Sequence, residues 1–86
     1  MTRKYRVTIY NQHAMCGIFA DGRTRKEAFN RALVKAGEPF LRYGGDKLTT
    51  FRTLFVENLM HPYYRTASNA YVSHPNGAGV EFRRLS

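Results

Sequence analysis

The chain has 86 residues, 43% of them hydrophobic and 14% aromatic, with no Trp; this length makes one domain with a thin core, and the apolar share excludes a disordered polymer. Fourteen Lys and Arg against six Asp and Glu leave a formal charge of +8, which suits polyanionic partners. No apolar run approaches the ~20 residues of a membrane span, and a single Cys16 excludes an internal disulfide and fits a reducing compartment.

The N-terminus, Met1-Thr-Arg-Lys-Tyr-Arg6, leads into polar alternation and not into the apolar core of a signal peptide. The expected location is therefore the cytoplasm. Residues 3–10 alternate with period two: Tyr5, Val7 and Ile9 share one face, and Lys4, Arg6, Thr8 and Tyr10 share the other. This predicts a half-buried strand with a basic outer face. Asn11-Gln12-His13 reads as a turn, and Met15 to Ala20 as a second strand paired with the first, weakened by Gly17. Asp21-Gly22 reads as a turn pair.

A helix follows. Thr24 stands at its N-cap with Glu27 three residues on, the spacing of a capping box. Phe29, Ala32, Leu33 and Ala36 make one apolar face. Gly37 suits the left-handed C′ position, and Pro39 opposes continuation. On the outer face Glu27 and Arg31 form a favourable i,i+4 pair, leaving Arg23, Lys26 and Lys35 without evident partners. Residues 38–46 read as a loop, with Asp46 as the next N-cap. Over 47–60 the threonines have strand composition, but Leu48, Phe51, Leu54, Phe55 and Leu59 separate better at the helical period, and Pro62 ends the segment. This predicts a second helix. Tyr63-Tyr64-Arg65 begins a link, and two strands, 69–74 and 79–85, flank a turn-rich Pro75-to-Gly79 loop. The resulting expectation is an α+β single domain over 1–86, ordered β-β-α-α-β-β, with about four antiparallel strands and both helices on one face.

The residues with chemical potential are few. His13 and Cys16 have the spacing of half a zinc site, but a second pair is needed, and His61 and His74 each precede Pro without a neighbouring ligand. Turn and strand roles are the simpler reading, and no metal is expected. Cys16 lies mid-strand, a usual place for an inert buried thiol, with no evident base. Asp21, Glu27 and Asp46 are explained as turn and cap residues, which leaves Glu38, Glu57 and Glu81 without a paired acid–base arrangement. Gly44-Gly45 and Gly77-Ala78-Gly79 lack the Lys and Ser/Thr of a phosphate-cradling loop. Neither catalysis nor a cofactor is expected.

The basic–aromatic interleaving is the informative feature. Residues 1–35 hold eight basic and two acidic residues, net +6, against +2 for the remainder. Lys4, Arg6 and Tyr10 can contact phosphate and stack on a planar group, and a solvated strand face is the plain alternative. If the first two strands pair, Arg3, Lys4 and Arg6 come beside Arg23, Arg25 and Lys26 at the helix start, where cations break the local preference for acids. Six cations in one patch point to nucleic acid or to a nucleoprotein complex with an acidic surface, and not to a membrane.

The passage Ile18-Phe-Ala-Asp-Gly-Arg-Thr-Arg-Lys-Glu-Ala28 resembles the strand–turn–helix unit of HicB-type antitoxins, a strand followed by Gly-x-Thr-x-x-Glu-Ala. Residues 38–86 depart from that pattern. In size, one-domain plan and absence of catalytic motifs the chain also resembles phage-encoded inhibitors such as anti-CRISPR proteins. That likeness implies a non-enzymatic protein docking on a nucleic-acid-handling complex; a stand-alone DNA- or RNA-binding regulator is the alternative.

Overall fold

The computed structural model of the protein describes residues 4–59 and 66–85. Strand β1 (Tyr5–Asn11) turns through a 3-10 segment, Gln12–Ala14, into β2 (Cys16–Gly22). Helix α1 (Arg25–Arg42) and helix α2 (Leu48–Leu54) follow, α2 running on into a π-helical turn, Phe55–Leu59. Strands β3 (Asn69–Ser73) and β4 (Ala78–Arg84) form the second hairpin. The sheet is antiparallel and four-stranded, ordered β2-β1-β4-β3. The expected α+β architecture therefore stands, with β1 and β4 central.

The alternation in β1 does what period two requires: Val7 and Ile9 are buried beneath the helices, beside Val80 and Phe82 of β4. Helix α1 contributes Ala28, Phe29, Ala32, Leu33 and Leu41 to this core, and the second helical region contributes Phe51, Leu54 and Phe55. Phe29 and Phe55 stack with ring centroids 4.2 Å apart, which joins the two helices above the sheet. Residue 60, the expected end of the second helix, the 63–65 link, His61 and Pro62 lie outside the described residues.

Local signals acted as expected at the start of α1. The Thr24 hydroxyl accepts from the Glu27 N–H at 3.0 Å. The Glu27 carboxylate accepts from the Arg23 N–H at 3.4 Å, one residue ahead of the cap, and pairs with Arg31 at 3.1 Å. Arg23 and Lys35 are not without partners: Arg23 lies 3.8 Å from Glu27, and the Lys35 ammonium donates to the Phe19 carbonyl at 3.0 Å. Arg31 likewise donates to the Asp21 carbonyl at 3.2 Å. These two side chains occupy carbonyls on edge strand β2 and blunt it against pairing with another chain.

Several expectations are corrected. Asp21 and Gly22 do not form a turn but continue β2, paired with Arg6 and Tyr5. Gly22 is needed for close approach, since a Cβ there would lie 2.6 Å from the Ala28 nitrogen. Residues 38–42 are helical and not loop. Gly37 takes the positive φ expected of it (φ 76°, ψ 168°), but a second helical segment starts beyond it. Pro39 falls in that segment's first turn, where its missing N–H has no intrahelical bond to lose, and Leu41 is thereby delivered to the core. Asp46 is displaced as N-cap by Lys47, although its carboxylate still accepts from the Leu48 N–H at 3.1 Å.

Two buried polar side chains hold the turn between the helices. The Asn11 amide donates to the Phe40 and Tyr43 carbonyls at 2.8 and 3.0 Å, and its oxygen accepts from the His13 N–H at 3.1 Å. Lys47 is 1% exposed, and its ammonium donates to the Tyr43 and Gly45 carbonyls at 2.9 and 3.3 Å.

Thr24→Ala is expected to lower stability by about 1 kcal/mol through loss of the cap, read as a lower urea midpoint with an unchanged slope. Asn11→Ala is expected to cost more, about 2 kcal/mol, because it removes three hydrogen bonds of a fully buried side chain at once, to the Phe40 and Tyr43 carbonyls and from the His13 N–H. Equal midpoints for the two variants would refute this ranking.

Candidate nucleic-acid interface

The helices cover one face of the sheet. The other face is laid out by strand register in three rows. Asp21, Arg6, Arg83 and Asn69 form the first, at the end where β1 begins and α1 starts. Phe19, Thr8, Glu81 and Tyr71 form the second, and Gly17, Tyr10, Gly79 and Ser73 the third.

In the first row the Arg6 guanidinium makes a bidentate pair with Asp21, Nε–Oδ1 at 2.8 Å and Nη2–Oδ2 at 3.1 Å. That hydrogen bond raises the Arg6 pKa, so its charge is held at every relevant pH. Arg83 stands directly opposite Arg6 and makes no ion pair among the described residues. In the second row Phe19 is 44% exposed and Tyr71 57%. The Arg6 guanidinium carbon lies 4.3 Å from the Phe19 ring centroid and the Lys35 ammonium 4.7 Å, both within cation–π range. In the third row Tyr10 meets Tyr71 edge to face at 5.8 Å. Partial burial, chiefly, and the nearby Glu81 charge push the Tyr10 phenol up, keeping it neutral. A groove of about 620 Å³ opens beside these rings, bounded also by Met15, Cys16 and His74.

The expected basic patch is met in part. The pairing of Tyr5 with Gly22 brings the start of β1 beside the start of α1, so Lys4, Arg6, Arg23, Arg25 and Lys26 do share one end of the molecule. Arg3 lies outside the described residues. They do not share one face. Arg25 turns to the core side, its guanidinium carbon 4.3 Å from the centroid of the fully buried Phe82 ring and 5.5 Å from that of Tyr5. This packing explains a cation in the first helical turn, where charge alone disfavours it. Arg6 is tied to Asp21, and Lys26 is exposed.

Sequence reasoning missed Arg83 and Arg84, which β4 carries to the same end. Arg84 donates to the Tyr5 hydroxyl at 3.1 Å. It also missed Phe19 and Tyr71. The outward direction of Arg83 and Phe19 was readable from alternation; their neighbours were not, because strand order is not a local property.

Cys16 is exposed at the start of β2 and not a buried mid-strand thiol. His13 is pressed against the Gly44 and Gly77 backbone, which gives it a packing role. His74 accepts the Asn76 N–H through Nδ1 at 3.0 Å. Among the described residues no cluster of three or more His, Cys, Asp and Glu could hold a metal ion, and no helix is long and apolar enough to cross a membrane. No protein-family model, curated protein or solved structure matches the chain.

The exposure of Cys16 has a direct check. The native protein is expected to release one equivalent of thionitrobenzoate from Ellman's reagent without denaturant; a thiol that reacts only after unfolding would refute the placement.

Proposed function

We propose that this protein is a non-enzymatic binding protein that engages nucleic acid, free or within a nucleoprotein complex, through the basic end of its sheet. One observation carries the reading: the β1–β4 register sets Arg83 beside Arg6 and Arg84 beside Tyr5, at the same end as Lys4, Arg23 and Lys26. Against these cations that end offers two carboxylates, Asp21 and Glu27, and both are engaged with arginines. Surplus positive charge gathered at one end raises the local concentration of a polyanion and steers its approach. Phosphates neutralised there release counterions, which supplies the affinity.

The likeness to phage-encoded inhibitors supports a particular form of this reading, in which the polyanion is part of a host nucleic-acid-handling complex and the protein acts in the host cytoplasm. The two forms separate at purification. Co-purifying nucleic acid favours direct binding, and clean protein that captures one complex favours the inhibitor.

Binding of a fluorescein-labelled single-stranded 20-mer, followed by anisotropy from low to moderate salt, tests the basic end. The log of affinity is expected to fall linearly with the log of salt concentration. The triple variant Lys4→Ala, Lys26→Ala, Arg83→Ala is expected to make that slope shallower by up to about 0.7 for each phosphate it no longer neutralises. A triple variant with wild-type affinity and slope would exclude this surface.

A further inference from the structure

Two features of the sheet face opposite the helices stand apart from the core. The first is a pair of glycines inside strands, where glycine has no side chain to pack and weakens the strand. Gly17 and Gly79 are the strand neighbours of Tyr10 on either side. A Cβ at residue 17 would stand 2.8 Å from the Tyr10 ring carbons, and one at residue 79 would stand 2.8 Å from the Tyr71 hydroxyl oxygen. Each glycine therefore lets a tyrosine ring settle onto the neighbouring backbone. The second feature is the aromatic content of a face that belongs to no core. Phe19, Tyr10 and Tyr71 all point away from the helices, and Phe19 and Tyr71 keep about half of their surface in water. A single exposed ring needs no explanation; three on one face, two of them seated over glycines and lining a groove of about 620 Å³, do.

We propose that this face is a stacking platform for the bases of single-stranded nucleic acid; the proposal rests on the nucleic-acid reading above and names the substrate class. Every base has a π-face, so stacking on aromatic rings binds a single strand with little sequence preference. In a duplex those faces are already stacked and closed to side chains. Phe19 and Tyr71 sit on opposite edge strands of the same row, about 14 Å apart at the usual strand spacing, with Tyr10 between them in the adjoining row. The charge on the face is graded to match. Arg6 and Arg83 lie in the first row, at the basic end, where a phosphate backbone is favoured. The Glu81 carboxylate lies between the rings, accepts the Tyr10 hydroxyl at 3.4 Å, and would repel a phosphate. Its position suits an exocyclic amino group on a base edge, which carboxylates accept from. The strand is thus directed with its backbone over the first row and its bases over the second and third. The Arg6 guanidinium over Phe19 adds a cationic planar group to the same stack.

The experiment compares three ligands at matched salt: a single-stranded 12-mer, a 12-mer of the same backbone with abasic sites throughout, and the corresponding duplex. The single strand is expected to bind at least tenfold tighter than the abasic strand, with a similar salt slope, because the phosphates are common to both. It is also expected to bind tighter than the duplex. Phe19→Ala and Tyr71→Leu are each expected to weaken the base-bearing strand by about 5- to 150-fold and to leave the abasic strand unchanged. Tyr71→Leu removes the ring but keeps an apolar side chain on β3, and far-UV circular dichroism checks that both variants remain folded. Equal affinity for base-bearing and abasic strands, or preference for the duplex, would overturn the platform while leaving the basic end intact. No binding to any of the three would overturn the platform together with direct binding of free nucleic acid, and would leave only the form of the reading in which the protein docks on a nucleoprotein complex.

Discussion

Asn11 closes the central strand β1 and is fully buried, so every hydrogen-bonding group on it must find a protein partner. Its amide takes the carbonyls of Phe40 and Tyr43 from the end of α1, and its oxygen takes the His13 N–H from the turn into β2. One side chain therefore ties the sheet, the first hairpin and the end of the long helix together. The Tyr43 carbonyl also accepts from the Lys47 ammonium. A buried ammonium with only carbonyls around it is a costly group unless its donors are used, and two of them are aimed at successive segments of the turn. With residues 43–47 held this way, α2 starts where Phe51 and Phe55 meet the core rather than solvent.

That arrangement places both helices over one side of the sheet, and among the described residues no element covers the other side. It also sorts the cations. Arg6, Arg23, Arg31 and Arg42 each pair with a carboxylate, Lys35 and Arg31 close edge carbonyls of β2, Arg25 lies over Phe82, and Lys47 is interior. A formal charge of +8 thus overstates the charge offered to a partner. Much of the basic content is structural, worth little as isolated surface pairs but useful in edge protection and core cover. Of the others among the described residues, Arg52 lies on α2, and Lys4, Lys26, Arg83 and Arg84 gather at the end of the sheet where β1 begins and β4 finishes.

The two parts of the proposed interface divide the work by physics. The basic end acts at range and weakens with salt. The aromatic rows act only on touching and are nearly indifferent to salt. Glycines under the tyrosines let the rings lie close to the backbone, so less side-chain freedom remains to be lost when a ligand covers them.

Much of the local structure was legible in the sequence. Period-two alternation identified β1 and the inward face of β4, the Thr24–Glu27 spacing located the helix start, and the left-handed conformation of Gly37 was anticipated, although the helix was expected to end there. Each rests on interactions within a few residues. The errors share a cause. Asp21-Gly22 has turn chemistry, but pairing with Arg6 and the close approach of α1 to Gly22 made it strand. Pro39 has stop chemistry, but burial of Leu41 favoured another helical turn. Arg25 broke the helix-dipole preference because Phe82, 57 residues away along the chain, offered its ring. Of the candidate site, Lys4, Arg6 and Tyr10 on the outer face were readable by alternation, and their gathering with Arg83, Phe19 and Tyr71 was not. Side-chain direction is a property of one strand; which side chains stand next to each other is decided by strand order and register, and those are set only when distant segments pair and bury their common face.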